Sequence, residues 1–356
     1  MAMSAEELPP SGAGLCLSGG GYRAMLFHAG VIWRLYEAGV LQRLDRIASV
    51  SGGSVTAAVL ALAWPRLSFA PIQLEQDFVP HFVTPLRRLA AETIDVQSVI
   101  EGILTPGAIN DKVEGLCDGF LFHGATLQNL PERPRFILNA TNVQTGGLWR
   151  FSRPFMGDCQ VGRIPNPTLS LSKASAASAA FPPVLSPAIL PLDETTFNPT
   201  SRGPLGIPPY TTRAVLSDGG VCDNLALEPV YKRCATVFVS DAGAKLHPES
   251  KPKEDWIQHA ARVAMIADNQ VRNLRKRHLI DACKRGERKG CYWGIRTGIE
   301  HYFAPGKLPA PRERVLELAG LDTRLAALPA PAQERLINWG YAVSDAALRT
   351  HYDTTL

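Results

Sequence analysis

No stretch of this 356-residue chain reaches the ~18 consecutive apolar residues that a membrane-spanning helix requires. The opening residues, MAMSAEELPPSGAG, carry neither a positive leader nor an apolar core, so no secretory signal is expected. Seven cysteines occur, an odd number, and no two form a C-x-x-C pair. A zinc ribbon and a thioredoxin-type motif are therefore unsupported, and ordinary thiols of an intracellular protein are expected. Among the eight histidines there is no H-E-x-x-H and no paired spacing, so no metal and no cofactor are expected. Net charge is only +4, and no basic motif is interleaved with aromatics, so no nucleic-acid partner is expected. These absences point to a cytoplasmic protein, peripheral to membranes at most.

What is present is globular in character, with 46% hydrophobic and 20% charged residues. No internal repeat or clean linker divides the chain. The expected organisation is a flexible N-terminus over 1–12 and one domain over 13–356, with a core at 13–303 and a helical tail at 304–356. Residues 13–17 (AGLCL) read as a buried strand running into Ser18-Gly19-Gly20-Gly21. A helix is expected from Arg23 to Glu37. Residues 46–50 (RIASV) read as a second buried strand, followed by Gly52-Gly53 and the very apolar helix SVTAAVLALAW. Strand, glycine turn and helix thus occur twice, which suggests a parallel sheet covered by helices.

Further along, 65–130 reads as a helical insertion, 135–143 as a core strand, and 169–180 as a helix of small residues stopped by Phe181-Pro182-Pro183. The Pro- and Thr-rich stretch 186–212 reads as a mobile loop and a candidate lid. Strands are expected at 213–217 and 235–240, a long helix over 257–285, and short helices over 312–349.

Three turns carry chemistry. Ser49-Val50-Ser51-Gly52-Gly53 is a G-x-S-x-G elbow with Ser49 in place of the first glycine. Such a turn lifts a serine hydroxyl above the sheet, at a helix N-terminus that favours negative charge on an attacked carbonyl. Ser18-Gly19-Gly20-Gly21-Tyr22-Arg23 exposes backbone N–H groups. It is not a Walker loop, since no Gly-Lys-Ser/Thr follows. It is not a dinucleotide fingerprint, since Ala24 and Leu26 stand where glycine is needed. An oxyanion-binding loop remains. Ser217-Asp218-Gly219-Gly220 sets a carboxylate at a strand end. Each turn alone also reads as plain structure, Ser51 as a helix start and Asp218 as an Asp-Gly turn. In an open parallel sheet the three are expected to converge at one edge.

Together, LCLSGGGYRA, SVSGGS about 30 residues later and SDGGVCDN, with AASAAFPPV at 176–184, resemble the patatin-like phospholipases, relatives of the cytosolic phospholipase A2 catalytic domain. The resemblance spans residues 13 to about 245. It implies an α/β fold with a central, mostly parallel sheet flanked by helices, a helical insertion and a helical tail. It implies a Ser–Asp dyad, with Ser51 as nucleophile and Asp218 as base, and an oxyanion hole from Gly19, Gly20 and Gly21. It also implies supporting roles for Arg23, Gly53, Gly219 and Gly220. Ser49 departs from the family's glycine and bears on the elbow's geometry. His247 is the alternative base, His28 reads as packing, and Asp241 reads as structural.

The implied activity is hydrolysis of fatty-acyl esters of phospholipids or lysophospholipids through an acyl-enzyme. The alternatives are a general carboxylesterase or acyltransferase, and an effector gated by an activating partner or ligand. From Ile257 to Gly290 there are nine Lys/Arg against three Asp/Glu. Arg272, Arg275, Lys276 and Arg277 are the expected contacts with an anionic membrane, against the plainer reading of a solvated helix face.

Overall fold

The structure is a computed structural model that describes residues 10–94 and 108–356. Residues 1–9, most of the expected flexible N-terminus, and 95–107, part of the expected helical insertion, lie outside the described residues.

Among the described residues, ten strands form one sheet: β1 Ala13–Leu17, β2 Arg46–Val50, β3 Arg135–Asn142, β4 Gly147–Phe151, β5 Phe155–Asp158, β6 Gly162–Pro165, β7 Ala188–Pro191, β8 Arg213–Asp218, β9 Thr236–Asp241 and β10 Lys289–Gly294. The helices are α1 Gly21–Glu37, α2 Gly52–Ala63, α3 Thr84–Ala90, α4 Ala108–Cys117, α5 Leu171–Ser178, α6 Gly220–Asp223, α7 Glu228–Tyr231, α8 Trp256–Lys284, α9 Arg312–Gly320 and α10 Ala330–His351.

The sheet runs β10-β9-β1-β2-β3-β4-β5-β6, with β7 and β8 branching from β3. The run from β10 to β3 is parallel and apolar, as buried strands covered by helices must be. From β3 onward the pairing is antiparallel. The α/β architecture is the expected one, extended by a meander at 147–165 and by β10, neither of which the periodicity marked.

Register explains where the turns meet. Leu17 pairs with Ser49 on one side and Ser240 on the other, so β1, β2 and β9 end level. β2 pairs with β3 up to Val50–Asn139, and β8 takes over the same flank of β3 at Asp218–Ala140. β2 and β8 thus meet end to end. The turns do converge at one edge, but β8 brings Asp218 there on an antiparallel strand, paired with the last three residues of β3, and not on a parallel one.

Helix α2 is buried nearly all round, which accounts for its almost unbroken apolar sequence. In the tail, α9 is a short helix as expected, whereas α10 is longer. Pro331 lies in the first turn of α10, where proline is tolerated, so the helix runs for 22 residues. α10 packs on α1 with backbones touching: a Cβ on Gly30 would lie 1.8 Å from Ile337 O, and one on Gly340 1.9 Å from Phe27 O. The 186–212 segment is tied to the β5–β6 hairpin, with Asn198 N donating to Arg163 O at 2.9 Å and Leu205 N to Gln160 O at 2.8 Å.

Candidate active site

Ser51 sits between β2 and α2 with φ 54° and ψ −127°. This is left-handed backbone for a residue with a side chain, a strain of ~1–3 kcal/mol that the surroundings must offset. A hydroxyl cluster beneath the turn does so. Ser51 N donates to Ser178 Oγ at 3.0 Å, and Ser178 Oγ donates to Asn139 O at 2.6 Å. Ser54 Oγ lies 2.8 Å from Ser178 Oγ and 3.0 Å from Ser49 Oγ. The Ser49 departure therefore adds a hydroxyl to this cluster and leaves the elbow intact. Ser178 was missed as an individual residue. Its signal was a serine among alanines at the end of a helix that stops at Phe181-Pro182-Pro183.

The two glycine turns touch. A Cβ on Gly52 would lie 2.2 Å from Gly21 O, and one on Gly53 2.6 Å from both Leu17 O and Ser18 O. Only glycine permits that approach. At the N-terminus of α1, Gly19 N already donates to Asn224 O at 3.3 Å. Gly20 N and Gly21 N have no acceptor among the described residues. Of the three expected donors, two are open.

Asp218 is buried, and burial pushes its pKa up to about 6, with Asp268 adding to the rise. Gly220 N donates to Oδ1 at 2.7 Å, and the nearby Ser51 hydroxyl also favours the charged form. That hydroxyl does not close a full hydrogen bond, and Oδ2 is buried without a partner among the described residues. Catalytic pairs often tighten only around substrate. The backbone is fixed: Asp218 N donates to Ala180 O at 2.8 Å, and Thr141 Oγ1 donates to Asp218 O at 2.8 Å. Gly219 abuts Asn139 O, which a Cβ would meet at 2.2 Å.

Asn224 is a second residue the motif reading passed over, although it closes the run SDGGVCDN. Its Oδ1 lies 2.7 Å from where a Cβ would stand on Gly19 and on Gly220, and its Nδ2 lies 2.9 Å from that position on Gly243. One amide fills the space left by three glycines from three loops.

Arg23 is buried and donates to Ala319 O at 2.9 Å, Leu321 O at 2.7 Å and Ala242 O at 2.7 Å. Burial lowers its pKa to about 10. Tyr22 N donates to Arg324 O at 3.2 Å. The glycine loop is thus held from the tail. His28 is buried, with Nδ1 2.8 Å from Ser240 Oγ and Nε2 3.0 Å from Ser18 O. Burial lowers its pKa to about 4, so it is neutral. His247 is exposed, 3.4 Å from Arg296. Asp241 accepts from Gly243 N at 2.9 Å and from Tyr292 OH at 2.7 Å.

The basic residues of α8 divide. Arg272 donates to Ala244 O, Arg275 pairs with buried Asp223 at 2.8 Å, and Lys276 lies 4.3 Å over the Tyr292 ring. Only Arg277 of the four is exposed. Among the described residues, no group of three or more His, Cys, Asp or Glu is placed to hold a metal. In the same residues no helix is long and apolar enough to cross a membrane.

Beside the Ser51 turn is an apolar cavity of about 10 Å³, lined by Tyr22, Gly52, Val55, Val113, Ala179 and Leu325 among others. That is room for about one water. The wall nearest solvent is a strap at 321–328, not the 186–212 segment. Ile94 N donates to Leu325 O at 2.9 Å, and Leu328 N to Ala90 O at 2.8 Å.

The sequence family described as patatin-like phospholipase matches residues 15–231, more than half of the chain. No curated protein sequence is similar enough to match. Among solved structures, human GIVD cytosolic phospholipase A2 in complex with methyl gamma-linolenyl fluorophosphonate and terbium chloride matches with TM-score 0.53 and 14% identity, covering 97% of this chain and 59% of that one. The human enzyme without inhibitor matches with TM-score 0.50 and 14% identity, covering 98% of this chain and 62% of that one. This chain therefore spans about three fifths of those structures. At such identity the likeness is one of fold.

Proposed function

This chain belongs to the patatin-like phospholipase family, and from that premise we propose that it hydrolyses fatty-acyl esters of phospholipids or lysophospholipids with Ser51 and Asp218. Ser51 Oγ attacks the ester carbonyl while Asp218 Oδ2 accepts its proton. The N–H groups of Gly20 and Gly21, at the positive end of α1, hold the oxyanion. Asp218 returns the proton to the departing alcohol. Water, deprotonated by the same carboxylate, then releases the fatty acid from the acyl-enzyme. Asn224 sits within the loops that frame this step and keeps them apart.

The observation that carries the reading is Asp218 Oδ2: a buried, unpartnered carboxylate oxygen on a strand that meets the Ser51 turn end to end. A base of this kind has a pKa near the pH at which it works. The test uses a short chromogenic acyl ester, phospholipid vesicles and an alkyl fluorophosphonate probe. The probe should label Ser51 in the wild type and nothing in Ser51→Ala. Ester hydrolysis should fall by roughly 10³-fold or more in Ser51→Ala and Asp218→Ala. A wild-type rate in Asp218→Ala removes the dyad and makes His247 the base to examine.

A gated form of the same activity is the second reading, and the cavity beside Ser51 favours it. A space of about 10 Å³ holds no acyl chain, and on this reading the strap carrying Leu325 swings out to widen it before a lipid enters. On this reading the soluble ester is hydrolysed without an activator and vesicle lipid is not.

A further inference from the structure

Four arginines meet at the end of the sheet remote from Ser51. Arg46 opens β2 and Arg135 opens β3, and the two are register partners on parallel strands. Register partners share a face and stand on strands ~4.8 Å apart. Here it is the face that carries Ala48 and Ile137 and packs with α7. Arg163 comes from β6, and Arg233 from the segment between α7 and β9. Burial lowers the pKa of Arg135, and Arg46, Arg163 and Arg233 lower it further. β6 and β9 lie on opposite sides of the β2–β3 pair, so exposed Arg163 and Arg233 flank the half-buried Arg46 and Arg135.

The acids nearby are already engaged. Asp45 Oδ2 accepts from Ala13 N at 2.9 Å. Glu132 pairs with Arg153 at 3.5 Å, and Glu228 with Lys232 at 2.6 Å. Among the described residues, none of the four arginines joins an ion pair. Counting Asp45 in full still leaves four arginines against one aspartate. Arg163 lies 4.8 Å over the Phe155 ring, which steadies its guanidinium without using its N–H donors. Holding like charges together is unfavourable, and a bound anion offsets that cost.

We propose that Arg46, Arg135, Arg163 and Arg233 form a binding site for a ligand carrying at least two phosphate groups held close together. Residue type selects this chemistry. The planar fork of arginine pairs with phosphate oxygens two at a time, and all four cations are arginine. Two half-buried guanidiniums between two exposed ones suit a compact polyanion better than an extended chain. The site stands apart from the ester chemistry and does not depend on it. Arg46 begins β2 and Ser51 follows its other end, ~17 Å away along the strand.

Titration calorimetry with inorganic tripolyphosphate in physiological salt is the test. One tripolyphosphate should bind per wild-type chain, and sodium sulfate at matched ionic strength should not reproduce the heat. Arg163→Gln and Arg233→Gln change exposed side chains and leave the core alone. Each should weaken binding by roughly 10-fold, and the two together by roughly 100-fold. Without tripolyphosphate, both variants should hydrolyse a short soluble ester as the wild type does. Vesicles of phosphatidylcholine with phosphatidic acid, pelleted with Ser51→Ala protein, identify the source of the phosphate. Pelleting that the double arginine change abolishes makes it a lipid headgroup. Tripolyphosphate binding without pelleting makes it a soluble polyphosphate. A wild type that ignores tripolyphosphate overturns the proposal, as does a double variant that binds it unchanged. Tighter binding of hexaglutamate than of tripolyphosphate would replace the ligand with an acidic protein segment. Binding gained only on Glu6→Gln and Glu7→Gln would mean that the arginines serve this chain's own acids, and no ligand site exists.

Discussion

Asp218 holds a charge where burial resists it. Its folded pKa of about 6 lies above the usual carboxylate value of 3.8, so the native state retains a proton that the unfolded chain has already lost. Its contribution to stability is therefore complete below the unfolded pKa and is lost as pH rises through about 6. Two consequences follow in opposite directions. Ester hydrolysis should rise with pH through about 6, as the carboxylate becomes a base. Asp218→Asn, which removes the buried charge, should be more stable than wild type at about pH 8 by roughly 2–3 kcal/mol in urea unfolding while losing activity. Equal stabilities there would mean that the carboxylate is not desolvated. Ser51 stores a related tension in its backbone, at φ 54°. The motif residues Ser51, Asp218 and the glycine loop were legible because their side chains, or lack of them, are fixed by the turn. Asn224 and Ser178 were not, because their meaning lies in the loops they touch, far away in sequence.

At the scale of elements, α1 and α10 form the tightest contact. A glycine inside a helix ordinarily costs ~1 kcal/mol relative to alanine. Gly340→Ala should nevertheless destabilise the protein by about 1–3 kcal/mol, because the new methyl meets Phe27 O at 1.9 Å. A gain in stability in urea unfolding would show that the helices do not touch. Strand alternation and apolar runs made β1, β2, β3, β8 and β9 readable. The β4–β6 meander was hidden by short strands with Pro and Gly between them, and β10 by flanking lysine and glycine. In the tail, the prolines at 329–331 mark a real boundary, and what they hide is that a 22-residue helix starts there. The end-to-end meeting of β2 and β8 lay beyond any local pattern, since it depends on register along β3.

At the scale of the whole molecule, the motifs occupy the first two thirds of the chain, yet the glycine loop is fastened by the last third. Arg23 reaches Ala319 and Leu321, and Tyr22 reaches Arg324. A chain stopped after residue 311 keeps Ser51, Asp218 and the whole family-matched stretch, and it should still lose ester hydrolysis and become readily digested by trypsin. Retained activity would show that the tail merely decorates the fold. The distance between Arg23 and Ala319 along the chain is 296 residues. At ~5–20 residues per second, a ribosome needs roughly 15–60 s to cross that interval. Throughout that time the carbonyls that hold the glycine loop from the tail do not yet exist. Any chemistry at Ser51 therefore waits until residues 319–324 have been made.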